Sequence, residues 1–304
     1  MRIFEPLLHR IQNPRLVLLD ILTPILPYFG DKLYLKIVYF VIFGERLSLR
    51  NPKTFNAKLQ YLKIYQRDPL LTKLVDKQDV KEYIDSIGVV KTIPTLCCWE
   101  NAEDIDFNGL PNKFVLKTTH DSGGVIVCND KSKLNEDDIR KTFKKRLSHN
   151  FYITGREWPY KYVNPRVIAE EYLEDDSGEL RDYKFFCFDG VVRFFKVDFN
   201  RSIEHHANYY DTNLQLISIG EKICPPVPSY HIAFPDNIGE MMAIAERLSK
   251  GFLFVRVDLY NVGKVVYFGE MTFYPSSGFG PFTDDKWDYI IGSYLKLPSQ
   301  DEIK

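Results

Sequence analysis

Three short stretches of this 304-residue chain carry residue types that could do chemistry together. The richest is the pair Arg256-Val-Asp258 and Glu270-Met-Thr272. It lies in two β-type runs, Phe254–Tyr260 and Val265–Thr272, joined around Asn261-Val-Gly263. Alternate side chains of a strand share a face, so Arg256 goes with Asp258 and Glu270 with Thr272. If both pairs face the same way, one hairpin delivers a guanidinium and two carboxylates to one cleft. Carboxylates on rigid neighbouring strands suit Mg2+, which takes hard oxygen ligands and keeps bonds to nucleotide phosphates. An arginine beside them can neutralise a phosphoryl group in transfer. A salt-bridge ladder on a half-exposed sheet is the alternative reading of the same residues. Upstream, Phe114-Val-Leu-Lys117 runs into His120-Asp-Ser122-Gly123-Gly124. A strand lysine beside small residues suits phosphate, because backbone N–H groups can approach its oxygens. No GK[ST] follows and no helix opens there, so this is not a Walker A loop, and a plain hairpin turn is the simpler reading. Third, Val167-Ile-Ala-Glu170-Glu171-Tyr172-Leu173 is an apolar run ending in paired acids, either solvated or turned to meet a flat ring such as adenine.

The elements that must position these residues fall into three regions. Residues 1–70 read as helical, with breaks at Pro24, Pro27, Gly30 and Gly44 and with Thr54 as the cap of a helix through Phe55, Leu59 and Leu62. Residues 71–168 mix an amphipathic helix from Asp76 to Ile87, closed by Gly88, with an extended run Ile93–Trp99 and the hairpin of Lys117. Residues 169–297 are strand-rich. Tyr183–Phe188 and Val191–Val197 flank Asp189-Gly190, a type I′ hairpin signal, and a helix spans about Asn237 to Lys250 before Gly251. A short polar end, 298–304, follows. Because the turns are hairpin turns, an α+β fold with antiparallel sheets is expected rather than a doubly wound one.

Forty basic residues against 41 acidic ones give a net charge of -1, which argues against bulk binding to nucleic acid. The basic run Lys141–Arg146 follows Asn135-Glu-Asp-Asp138 in a helical pattern and reads as a solvated helix face. Five cysteines, with no CxxC pair, read as reduced thiols of a cytoplasmic protein. The charged N-terminus does not read as a signal peptide. Leu33–Phe43 is apolar but too short to span a bilayer. It reads as a buried helix or, with Arg10, Arg15, Lys32 and Lys36 nearby, as an amphipathic element resting on the inner face of a membrane. His205-His206 reads as surface rather than as a metal site, and Asp104-Ile-Asp106 lacks the preceding apolar strand of a nucleotide-sugar fold.

Taken in order, Asp76-Lys77, Phe-Val-Leu-Lys117 with its glycine turn, Ile-Ala-Glu-Glu-Tyr-Leu173, Arg256-Val-Asp258 and Glu270-Met-Thr272 resemble the linear layout of the ATP-grasp superfamily. Asn51-Pro-Lys-Thr-Phe-Asn56, Gly155-Arg-Glu-Trp-Pro-Tyr-Lys161, Asp182–Phe188 and Phe268–Pro275 bring it closer to the TupA-like branch, found with surface-polysaccharide genes. The resemblance covers roughly residues 50–297. It implies an ATP-grasp fold, two α+β subdomains gripping ATP: a small one with the lid, 71–168, and a large one with the metal site, 169–297. By that likeness Lys77 and Lys117 contact phosphates, His120, Ser122, Gly123 and Gly124 form the lid, and Glu170, Glu171, Tyr172 and Leu173 form the adenine hinge. Asp182 is implied for the ribose and Lys184 for a phosphate. Asp258, Glu270 and Thr272 are implied for Mg2+, Thr272 standing where many members carry Asn, and Arg256 steadies an acyl phosphate. Arg156, Lys161, Arg201, Ser276 and Ser277 are candidates for holding a sugar or carboxylate. The implied reaction is ATP-dependent amide formation between a carboxylate, such as a uronic acid of a surface polysaccharide, and an amino acid or amino alcohol. A glycosyltransferase, a sugar kinase and a non-catalytic scaffold are the competing readings.

Overall fold

The computed structural model describes residues 17, 19, 21–174, 180–200 and 204–298. Two sheets organise it. The smaller has four antiparallel strands in the order β2-β5-β3-β4: β2 Thr95–Trp99, β3 Phe114–Thr118, β4 Val125–Cys128 and β5 Val167–Glu171. The larger has seven in the order β1-β11-β10-β6-β7-β8-β9: β1 Lys91–Thr92, β6 Asp182–Phe188, β7 Val191–Phe199, β8 His206–Asp211, β9 Leu216–Ile217, β10 Phe254–Val262 and β11 Val265–Thr272. The α+β class agrees with expectation, with two amendments. The larger sheet is mixed, since β1 runs parallel to β11. The expected division at 168/169 falls inside β5, which pairs throughout with β2 and β3, while β1 leaves the first of the two segments to join the larger sheet.

Turn chemistry fixes the hairpins. Asp189 and Gly190 both have positive φ, 52° and 75°, as a type I′ turn requires, and Phe188 pairs with Val191. Gly263 and Lys264 repeat this between β10 and β11, one residue beyond the expected turn.

Helices cover the sheets where the sequence is periodic. They are α1 Asp31–Phe43, α2 Phe55–Tyr65, α3 Leu70–Val75, α4 Asp79–Ile87, α5 Glu136–Leu147, α6 Tyr152–Gly155, α7 Ile238–Leu248 and α8 Lys286–Tyr294. Thr54 caps α2, its hydroxyl accepting from the Ala57 N–H, and Asn135 caps α5 through Asp138 N–H. The helix expected from Asp76 begins at Asp79 instead. The Asp76 carboxylate accepts from the Gln78 and Asp79 N–H groups and so fixes the start from outside.

Two cores result. The apolar face of the larger sheet, with Phe185, Val197, Val255 and Val257, packs on Met241, Ile244, Ala245 and Leu248 of α7. The smaller core lies under the four-stranded sheet, around Phe107, Phe114, Leu116, Phe143 and Ala169. The N-terminal helices join the larger core: Phe55 at the head of α2 meets Phe254 and Phe188 at 5.0 and 5.9 Å between ring centroids.

Candidate active site

The register of the last hairpin decides the site. Arg256 stands opposite Thr272 and Asp258 opposite Glu270, so the two pairs that the alternation predicts lie on the same face. Lys184 on β6 is the other neighbour of Asp258, and Asp182 is the neighbour of Tyr260. The Arg256 guanidinium forks onto Asp258 at 2.7 and 2.6 Å and also donates to Glu270 Oε1 and Thr272 Oγ1, each at 3.0 Å. Asp258 is buried, whereas the Glu270 side chain is 42% exposed. Burial pushes Asp258 upward against the pull of Arg256. At Glu270 burial also pushes up, but Arg256, then Lys77 and Lys184, overcome it and hold the carboxyl at about 2. Burial lowers Lys77, with Glu270 and Asp121 pulling it back.

Across the cleft, Lys117 on β3 ion-pairs with Glu170 Oε2 at 2.5 Å, and Lys81 on α4 reaches Glu170 Oε1 at 2.6 Å. Those two ammonium groups overcome burial and keep Glu170 depressed. Its side chain therefore holds Lys117, and within the hinge segment it is Tyr172 and Leu173 that continue past the end of the strand. A cavity of ≈270 Å³ opens here. Val125 and Val127 of β4 line it, with Lys117, Tyr172, Leu173 and Tyr260 of β10, so it sits between the two sheets.

The loop joining β3 to β4 is tied down at several points. Lys77 Nζ donates to the Asp121 carbonyl at 2.5 Å, and His120 Nε2 lies 3.2 Å from the carbonyls of both Arg146 and His149. Arg146 donates to Asp121 Oδ2 at 2.7 Å and to the Gly123 carbonyl at 2.8 Å. This corrects the reading of Lys141–Arg146 as only a solvated face. Ser122 and Gly123 are exposed at the tip, and a Cβ built on Gly123 meets nothing within 4 Å. Gly124 is the opposite case: its Cβ would lie 1.7 Å from Thr118 Oγ1.

The other candidates divide. Lys184 is engaged by Asp198 and, at 3.2 Å, by Asp182. After β11 the chain takes three consecutive left-handed residues, Ser276, Ser277 and Gly278, with φ of 49°, 53° and 60°. Ser277 donates to Glu157 Oε1, while Ser276 is exposed. From α2, Lys63 donates to the carbonyls of Gly155 and Ser277 at 2.6 Å each, and Gln60 donates to Gly278 O at 2.6 Å. Burial lowers Lys63 to about 7, with Glu157 and Asp31 opposing. Tyr160, in the same segment as Glu157, is pushed well up by burial and by the charges of Glu157 and Glu270. Arg156 points elsewhere: it is buried and donates to the carbonyls of Leu26, Pro27 and Phe29, so its role here is structural. Lys161 is exposed beside Tyr152 and Tyr162 and lines no part of the cavity. Arg201 lies outside the described residues.

Sequence reasoning missed Arg146, Lys81, Glu157 and the valines of β4. Lys81 had one available signal, its place one helical turn after Lys77. Glu157 and Arg146 gain their meaning only from contacts across 120 and 25 residues. His205, read as surface, turns its ring toward Asp198 at 3.3 Å, with Cys224 alongside. The ammonium groups of Lys184 and Lys196 already neutralise that carboxylate, which disfavours a cation there.

The donor set at β10–β11 fits Mg2+: two carboxylates and a hydroxyl, all hard oxygens, with neither thiol nor imidazole among them.

Residues 57–296 match the family model described as TupA-like ATPgrasp. No curated protein matches the chain. Among solved structures it is similar to D-alanine–D-alanine ligase from Helicobacter pylori, at 15% identity and a TM-score of 0.42, over 80% of this chain and 69% of that one. It is also similar to D-alanine–D-alanine ligase from Bacillus anthracis, at 17% identity and 0.36, over 66% of this chain and 57% of that one, less than two thirds of its length. A third is the D-cycloserine synthetase DcsG, at 17% identity and 0.39, over 88% and 80%.

Proposed function

The chain belongs to the TupA-like ATP-grasp family, a family of ATP-dependent carboxylate–amine ligases, and from that membership we propose that it joins an amine to a sugar carboxylate through an acyl phosphate. The observation that carries this reading is the pairing of Asp258 with Glu270 and of Arg256 with Thr272 on one face, where the charge of Lys77 also acts on Glu270. The apolar walls of Val125, Val127 and Tyr260 suit a purine ring. In this reading the main chain at Tyr172–Leu173 meets the adenine edge, Asp182 meets the ribose, and Lys77 and Lys117 meet phosphate oxygens, with the loop His120–Gly124 above them. Asp258 and Glu270 would hold Mg2+, assisted by Thr272, and the ion would neutralise charge on the phosphate oxygens.

The substrate carboxylate takes the γ-phosphoryl group and ADP leaves. The amine then attacks the acyl carbon, its C–N bond forming as the bond to the phosphate oxygen breaks, and a proton passes from nitrogen to solvent. Arg256 supplies fixed positive charge to both steps, and closure of the loop keeps water from the acyl phosphate. In this reading the exposed Ser276 is a candidate contact for the carboxylate substrate. A uronic acid of a surface polysaccharide or its precursor is the acceptor we favour, with an amino acid or amino alcohol as the amine.

The test is ADP release by the purified protein with MgATP, uronic acids and a panel of amines. ADP that requires a carboxylate and an amine together supports the ligase, whereas ADP released with a sugar alone points to a kinase. The Glu270→Gln variant should lose about 100-fold or more of that activity; unchanged turnover would sink the assignment of Glu270.

A further inference from the structure

One side of α1 is open to solvent. Leu33, Lys36 and Phe40 recur at i, i+3 and i+7, all exposed, opposite the buried Tyr34, Leu35, Val38, Tyr39 and Val41, while Ile37 beside them is half-buried against the core. Leu33 and Phe40 are 51% and 43% exposed. The turn that leads into the helix adds Ile25 and Tyr28, the latter 87% exposed. Charge in this region runs against the balance of the chain: residues 21–53 carry five Lys and Arg against two Asp and Glu, in a protein of net charge -1. One of those acids, Asp31, is already met by Arg67, Arg156 and Tyr152.

We infer that this face docks the protein on an anionic membrane surface. An apolar stripe interrupted and flanked by lysines is what an interfacial helix needs to lie among headgroups, and tyrosine favours that depth. The helix has 13 residues, and no helix among the described residues is long and apolar enough to cross a bilayer, so the contact is peripheral. A second copy of the chain fits less well, because a two-fold contact through this face brings Lys36 toward its own image. The face is also rigidly mounted. Arg156 holds the carbonyls of Leu26, Pro27 and Phe29, and the Tyr34 hydroxyl donates to Thr154 O.

The test is co-sedimentation of the full chain with vesicles of phosphatidylcholine alone or mixed with phosphatidylglycerol. The protein should pellet with the mixed vesicles only, and less as salt rises. Leu33→Ser with Phe40→Ser, and separately Lys32→Glu with Lys36→Glu, should each reduce the bound fraction about tenfold while circular dichroism and nucleotide binding stay unchanged. Failure to pellet with mixed vesicles, or equal binding to both kinds, overturns the inference. So does a dimer of the wild type that Leu33→Ser with Phe40→Ser converts to a monomer without vesicle affinity. None of these outcomes depends on ligase turnover.

Discussion

At Glu270 burial and charge pull in opposite directions, and charge wins: Arg256, Lys77 and Lys184 hold the carboxyl at about 2, below the usual carboxylate range. An acid depressed on folding stabilises the fold above its unfolded pKa of about 4.3 and loses that contribution as the pH falls toward 2. The difference in Tm between wild type and Glu270→Gln should therefore be constant from neutral pH to about 5 and shrink below it. Thermal melts across that range check this; a gap that already shrinks above pH 6 would contradict it. Arg256 carries a second consequence. Its fork occupies both oxygens of Asp258 and one of Glu270, so it must yield part of that pairing wherever a cation enters. The alternation in the sequence already paired Arg256 with Asp258 and Glu270 with Thr272, but left open whether the two pairs face the same way. That the arginine bridges both acids emerged only once β10 and β11 were in register.

The elements that carry these residues are held by contacts of long sequence separation. On α2, Lys63 is wholly buried and donates to two carbonyls, one of them in the left-handed turn after β11. Lys63→Met keeps the volume but strips both carbonyls of their donor, at a cost of about 2–3 kcal/mol by denaturant unfolding. It should raise KM for the carboxylate substrate more than for ATP; equal effects would argue that the helix only stabilises. The loop joining β3 to β4 is held instead from α5. Arg146→Ala removes its bonds to Asp121 and Gly123 from a partly exposed position, so stability should change by less than about 1 kcal/mol. Calorimetry should show weaker MgATP binding, and an unchanged Kd would mean that the loop orders itself without Arg146. Both hairpins and the caps at Thr54 and Asn135 were legible because they depend on neighbours within a few residues. Lys63 looked like any helix lysine, since its burial depends on Ser277, 214 residues away.

For the whole molecule, two separate cores each back one of the two sheets that wall the cavity, so a ligand there couples units that otherwise pack largely within themselves. MgATP at about 100 times its Kd should add about 2.7 kcal/mol of stability and raise Tm by a few degrees. Scanning calorimetry checks this, and a Tm indifferent to MgATP would refute nucleotide binding in the cleft. The α+β class and the antiparallel hairpins were readable from the interleaving of strands with hairpin turns. The exchange of β1 into the larger sheet was not, because a two-residue strand leaves no periodic signal.

Val125 and Val127 of β4 are 46% and 53% exposed although both line the cavity. A strand that shows two valines to water, near the end of a four-stranded sheet, is a place where chains can stick to one another. Filling the cleft covers them. The nucleotide would then act as a solubiliser as well as a reactant: aggregation and recognition by chaperones would track cellular ATP, and protein stored without it would be the first to cloud.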